Sequence, residues 1–101
     1  MKSESAILNE IRLALSGHGL IFRMQSGNFE LKDGRHIVCG IRGMSDLLFI
    51  GQGYIAWFEV KNATNKPSPE QINFINVMRS LGHIAGVVRS SEEALKLISP
   101  T

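Results

Sequence analysis

Residues 46–61, DLLFI followed by GQG and YIAWFEVK, constrain the fold more than any other stretch of the chain. Two apolar runs rich in aromatic and branched side chains flank Gly51-Gln52-Gly53, which predicts an antiparallel hairpin closed by a three-residue loop. Side chains alternate along a strand, so Glu59 and Lys61 point one way while Phe58 and Val60 point the other. A strand this apolar belongs near the middle of a sheet, where unpaired charge is expensive. Counting back from the loop brings Asp46 opposite Phe58, or opposite Glu59 if one residue bulges. Two carboxylates and an ammonium then meet at one end of the sheet. A divalent cation such as Mg²⁺ or Mn²⁺ would relieve the repulsion between the carboxylates. With lysine beside it, such an ion could activate water against a phosphodiester. A structural salt bridge from Lys61 to Asp46 or Glu59 explains the same residues and stays open.

The rest of the chain reads as elements around this hairpin. Ile7, Leu8, Ile11, Ala14 and Leu15 recur at helical spacing within residues 3–16, and Gly17 and Gly19 end the pattern. LIFRMQ (20–25) and RHIVC (35–39) are strand candidates joined through turn-prone Asn28 and Asp33-Gly34. Ser68 as N-cap and Pro69 at the first helical position open a second helix that runs to about Leu81, with Gly82 behind it. IAGVV (84–88) predicts a buried strand, and Glu92, Glu93 and Lys96 mark the ends of a last helix beginning after Ser90 or Ser91. The order of α, several β, α, β, α predicts an α/β domain spanning residues 1–101, with no repeat or linker.

Two helical residues extend the acidic constellation. At about 100° per residue, Glu4 falls in the arc that holds Ile7, Leu8, Ile11 and Leu15, so a carboxylate is aimed at the sheet. It serves either as a further ligand or base, or as a first-turn acid favoured by the helix dipole. Gln71 falls between Ile75 and Met78 on the inner face of the second helix. Ser68-x-x-Gln71 also spells a capping box, which gives the same side chain a purely local use.

Bulk properties exclude several classes. A formal net charge of +2 gives only a mild preference for polyanions. Arg23, Lys32, Arg35 and Arg42 gather within residues 20–43, a segment able to meet a phosphate backbone. One cysteine, Cys39, permits no internal disulfide or thiolate zinc cluster, and with no local base it reads as packing. His18, His36 and His83 do not cluster. Phe22, Phe29 and Trp57 read as core rather than as base-stacking platforms. No apolar run approaches a membrane span, and MKSESAILNE is too polar for a secretory signal, so a cytoplasmic protein without a membrane partner is expected.

Glu4 with Ile7 and Ile11, FRMQSG (22–27), GIRGMSD (40–46), WFEVK (57–61), PSPEQINF (67–74) and IAGVVRSSEEAL (84–95) together resemble the VRR-NUC branch of the PD-(D/E)XK nuclease superfamily. The resemblance implies a restriction-endonuclease-like αβββαβ core, a mixed central sheet flanked by helices, and hydrolysis of phosphodiesters dependent on Mg²⁺ or Mn²⁺. Asp46, Glu59 and the Val60 carbonyl would hold the metal, with Glu4 completing the acidic cluster. Lys61 would attend the attacking water, and Gln71 would be the branch's helix-borne polar residue. Arg23, Ser26, Gly27, Arg42 and Lys66 would face nucleic acid. One departure is that Met44-Ser45, rather than a proline, precedes Asp46. The stand-alone form implies a homodimer acting on branched or duplex DNA, four-way (Holliday) junctions included. A non-catalytic nucleic-acid binding module and an RNA nuclease are the alternatives, since metal-assisted hydrolysis does not itself distinguish the sugars.

Overall fold

The computed structural model describes residues 1–25 and 27–99. Its elements are α1 (Glu4–Leu15), β1 (Leu20–Arg23), β2 (Gly27–Glu30), β3 (His36–Cys39), β4 (Leu47–Gly51), β5 (Tyr54–Val60), α2 (Pro69–Ser80), β6 (Ile84–Val88) and α3 (Ser91–Ile98). Four strands form one sheet in the order β1-β4-β5-β6, and β2 and β3 pair as a separate two-stranded sheet. The β1–β4 and β4–β5 pairs are antiparallel, whereas β5–β6 is parallel, with α2 as the crossover. The expected αβββαβ order is therefore present, with the β2–β3 hairpin inserted after its first strand. No helix among the described residues is long and apolar enough to cross a membrane.

The main hairpin differs from expectation at its turn. Gly51 pairs with Tyr54, so the turn contains two residues, Gln52 and Gly53, rather than three. Gly53 takes a φ of +82°, a conformation that costs glycine nothing and strains other residues. Near residue 28 the reading also changes. Asn28 lies within β2 opposite Val38, and the chain turns at residues 31–35 instead. There Asp33 Oδ1 accepts the Arg35 N–H at 3.1 Å, a local bond typical of Asp in turns.

Strand alternation sorts the sheet into two faces. Leu47, Phe49, Ala56, Phe58, Val60 and Val88 pack against Ile7, Leu8, Ile11 and Leu15 of α1 and Ala94 of α3, forming the main core. On the other face α2 covers β5 and β6, where Phe74 meets Trp57 edge-on with ring centroids 5.1 Å apart. Among the described residues no helix covers the β1–β4 half of that face. Leu20, Phe22 and Ile50 are 62%, 43% and 38% exposed there. This overturns the core expectation for Phe22. Phe29 is similarly exposed at 44%, because it belongs to the separate β2–β3 sheet.

Helix ends follow local chemistry. Ser3, Ser68 and Ser90 accept N–H groups from the first turns of α1, α2 and α3, each replacing solvent at an otherwise unpaired donor.

Candidate active site

The short turn sets the register on which the site depends. Leu47 pairs with Phe58, so one step past the ladder Asp46 comes level with Glu59, and no bulge is required. Asp46 is fixed twice: its Oδ2 accepts the Val60 N–H at 2.8 Å, and its carbonyl accepts the Met24 N–H at 2.8 Å. The first bond joins β4 to β5 beyond the last ladder pair. The second ties the end of β1 to the same point.

Glu59 is 1% exposed, and its Oε1 has no hydrogen-bond partner. Burial pushes its carboxyl up to about 8, and the neighbouring Asp46 carboxylate pushes the same way against Lys61. Lys61 Nζ lies 3.7 Å from Glu59 Oε2, with 14% of its side chain exposed. That distance is an ion pair but too long for a good hydrogen bond. The salt-bridge alternative is thus present in geometry, yet the pair leaves Glu59 far from the low value that full compensation would give. One residue before Asp46, Ser45 Oγ is also buried without a partner. Two unpaired polar oxygens at one corner of the core are unusual, since buried polar groups are normally bonded.

A cleft of about 180 Å³ opens against this corner, lined by Glu4, Leu8, Arg23, Asp46 and Val60 among others. It joins α1 to the ends of β1, β4 and β5. Glu4 enters it from the first turn of α1, where its Oε2 accepts Asn65 Nδ2 at 2.7 Å and the Asn62 N–H at 3.4 Å. The Asn65 bond holds its carboxyl below the usual carboxylate range, against the effect of burial. Asp46 is common to the cleft and to the buried Glu59.

No family model matches the sequence, and no curated protein matches it. A solved structure described as a VRR_NUC domain matches at 26% identity with a TM-score of 0.69, over 96% of each chain. That likeness spans α1, the sheet and α3 alike. Over nearly its whole length the chain is similar to a VRR-NUC domain. Its α/β architecture is accordingly the restriction-endonuclease-like fold, and the domain is of nuclease type.

Other residues singled out from the sequence lie around the acidic corner. Gln71 completes the capping box: its Oε1 accepts the Ser68 N–H at 2.8 Å, and its own N–H reaches Ser68 Oγ at 3.2 Å. The side chain is therefore engaged at its helix terminus. Arg42 stands 3.7 Å from Glu70 with most of its side chain in solvent, and Lys66 is exposed on the loop before α2. Gly27 begins β2 opposite Cys39, away from the cleft's lining residues. Ser26 lies outside the described residues. Gly43 has a φ of +80°, and a Cβ there would run into the Glu70 carbonyl. The GIRGMSD segment thus rests directly on the first turn of α2, which fixes the approach to Asp46.

The donor set at the corner suits a small hard cation. Asp46 and Glu59 supply carboxylate oxygens, one of them unpaired and buried, and Mg²⁺ binds readily through one or two carboxylates while keeping water. Among the described residues no group of three or more His, Cys, Asp or Glu side chains is arranged to hold an ion. Glu4 stands across the cleft rather than within the pair.

Three polar residues of the site escaped the sequence reading. Asn62 Oδ1 accepts the N–H groups of Thr64 at 3.1 Å and Asn65 at 2.9 Å, the self-turn that asparagine favours. Arg89 donates through Nη1 to the carbonyls of Asn62 and Asn65. The NATN run was a readable turn signal; Arg89 lies more than twenty residues on and carried none.

Proposed function

We propose that this domain is a divalent-metal-dependent DNA endonuclease, with Asp46, Glu59 and Lys61 at its centre. The observation that carries the reading is Glu59 Oε1, buried and unpaired beside Asp46 and Lys61. Asp46 and Glu59, with the Val60 carbonyl, would hold Mg²⁺ or Mn²⁺. Once bound, the ion would neutralise phosphate charge and lower the pKa of water. Lys61 Nζ donates to the oxygen of the attacking water and orients it toward phosphorus. That oxygen bonds to phosphorus as one P–O ester bond breaks; the water gives up a proton to solvent and the departing sugar oxygen takes one up, leaving a phosphomonoester and a hydroxyl. Arg23, in the cleft, and the exposed Arg42 and Lys66 meet backbone phosphates on either side.

Branched DNA, including four-way junctions, and a homodimeric assembly belong to the same proposal. The uncovered half of the sheet supports the dimer: Leu20, Phe22 and Ile50 are exposed apolar side chains on β1 and its neighbour β4, and β1 is the edge strand of its sheet among the described residues. Such an edge readily accepts another strand. Sedimentation of the wild type and of Phe22→Asp tests this: a dimer that becomes a monomer is expected, and a monomeric wild type would refute the dimer.

Catalysis is tested by incubating the protein with supercoiled plasmid, junction, flap and single-stranded DNA, and RNA, each with Mg²⁺, Mn²⁺ or chelator. Metal-dependent cutting of DNA, lost in Asp46→Ala, is the expected result. No cutting of any substrate, or full activity in Asp46→Ala, would overturn the proposal, and preferential cutting of RNA would reassign the substrate.

A further inference from the structure

Arg89 directly follows β6 on a half-buried surface, where a guanidinium is usually matched by a carboxylate. Among the described residues it forms no ion pair with an acidic side chain. Its Nη1 instead donates to two carbonyls of the loop after β5, those of Asn62 and Asn65, the second at 2.8 Å. Arg89 is itself held at the main chain, where its N–H donates to Glu93 Oε1 at 3.0 Å. One nitrogen thus ties together two points three residues apart.

Within the bend, Asn62 Oδ1 gathers the Thr64 and Asn65 N–H groups, so the loop is braced from inside by Asn62 and from outside by Arg89. Its shape aims Asn65 Nδ2 at Glu4 Oε2, 2.7 Å away, and the Asn62 N–H at the same oxygen. Both hydrogen bonds to Glu4 end on Oε2. Oε1 takes neither and stays available to the cleft that Glu4 shares with Asp46 and Val60. A glutamate in the first turn of a helix would otherwise sample several rotamers, and fixing it has an entropic cost.

We propose that Arg89 is a positioning residue for the cleft: it holds the 62–65 loop in the shape through which Asn65 fixes the Glu4 carboxylate across the cleft from Asp46. Its catalytic consequence rests on the nuclease reading; the clamp does not. A loop that merely connected β5 to α2 would need neither the guanidinium on its carbonyls nor an amide on Glu4.

The test uses the full chain in two measurements. In the metal-free protein, hydrogen exchange is followed by NMR at the Asn65 side-chain amide and the Asn62 and Asn65 main-chain amides. Arg89→Ala is expected to speed these by about tenfold or more, with the Trp57 and Phe58 amides unchanged and partial recovery in Arg89→Lys. Unchanged exchange at the loop, or equal acceleration along β5, overturns the clamp. On plasmid, Arg89→Ala is expected to lower kcat about tenfold with KM unaltered, and to have no further effect in a Glu4→Ala background. A loss of equal size in both backgrounds overturns the positioning role. Should Arg89→Ala not fold, Arg89→Gln, which keeps part of the aliphatic stem and removes the guanidinium, takes its place in both comparisons. A wild type that cuts nothing removes the nuclease reading, while the exchange result still decides the clamp.

Discussion

Replacing Glu59 with glutamine should make the metal-free protein more stable at alkaline pH. The Glu59 carboxyl is raised from 4.5 to about 8, first by burial and then by Asp46. Between those values the folded chain keeps a proton that the unfolded chain has released, so stability falls as pH rises through this window. At ~1.4 kcal/mol for each pH unit, the loss by pH 8.5 reaches about 5 kcal/mol as an upper bound. Screening removes little of it, because the side chain is only 2% exposed. A domain of this size has a total stability of about 5–15 kcal/mol, so the effect is large. Glutamine keeps the shape without the charge and should flatten the pH dependence. The opposing expectation is a Lys61–Glu59 ion pair that holds the fold together, in which case breaking it would cost about 3–5 kcal/mol. Urea unfolding in chelator, at pH 5.5 and 8.5, separates the two. Wild type should lose several kcal/mol across the interval and Glu59→Gln much less. Parallel losses in both proteins, or a Glu59→Gln variant less stable at pH 8.5, would refute the reasoning. Glu4, whose carboxyl is held low by Asn65, contributes stability lost only as pH falls below about 4.5, outside this window.

Further outcomes follow from the same geometry. Mn²⁺ should raise the melting temperature of the wild type and leave Asp46→Asn unmoved; equal shifts would place the ion elsewhere. Gly43→Ala combines a forbidden φ with a collision against the Glu70 carbonyl and should cost about 2–4 kcal/mol in denaturant unfolding. Gln71→Ala and Ser68→Ala should each cost about 1 kcal/mol through the lost cap. A much lower kcat for Gln71→Ala than for Ser68→Ala would show that the glutamine also serves the reaction.

What could be read from the chain was what local rules decide. Ser68, Pro69 and Gln71 announce the start of α2 because capping involves neighbours four residues or fewer apart, and both capping-box hydrogen bonds and the proline at the first turn appear in the fold. The alternation in YIAWFEVK placed Glu59 and Lys61 together for the same reason. Turn length was harder: glycine at both 51 and 53 allows either a two- or a three-residue closure, and that one-residue choice decides whether Asp46 meets Phe58 or Glu59. Alternation also distinguishes two faces of β1 without saying which one a helix covers, so Phe22 was misassigned to the core. Asn28 is a turn former by preference, but cross-strand pairing with residue 38 overrides that preference. Arg89 and Glu4 meet through Asn65 across most of the chain's length, a relation that no periodicity can express.

The β2–β3 hairpin shares no main-chain ladder with the four strands that carry the carboxylates. Insertions, deletions or altered charge in that arm can therefore accumulate without moving Asp46 relative to Glu59. Selection could lengthen or trim it, changing what the protein reaches for, while the spacing of the acidic pair is inherited unchanged.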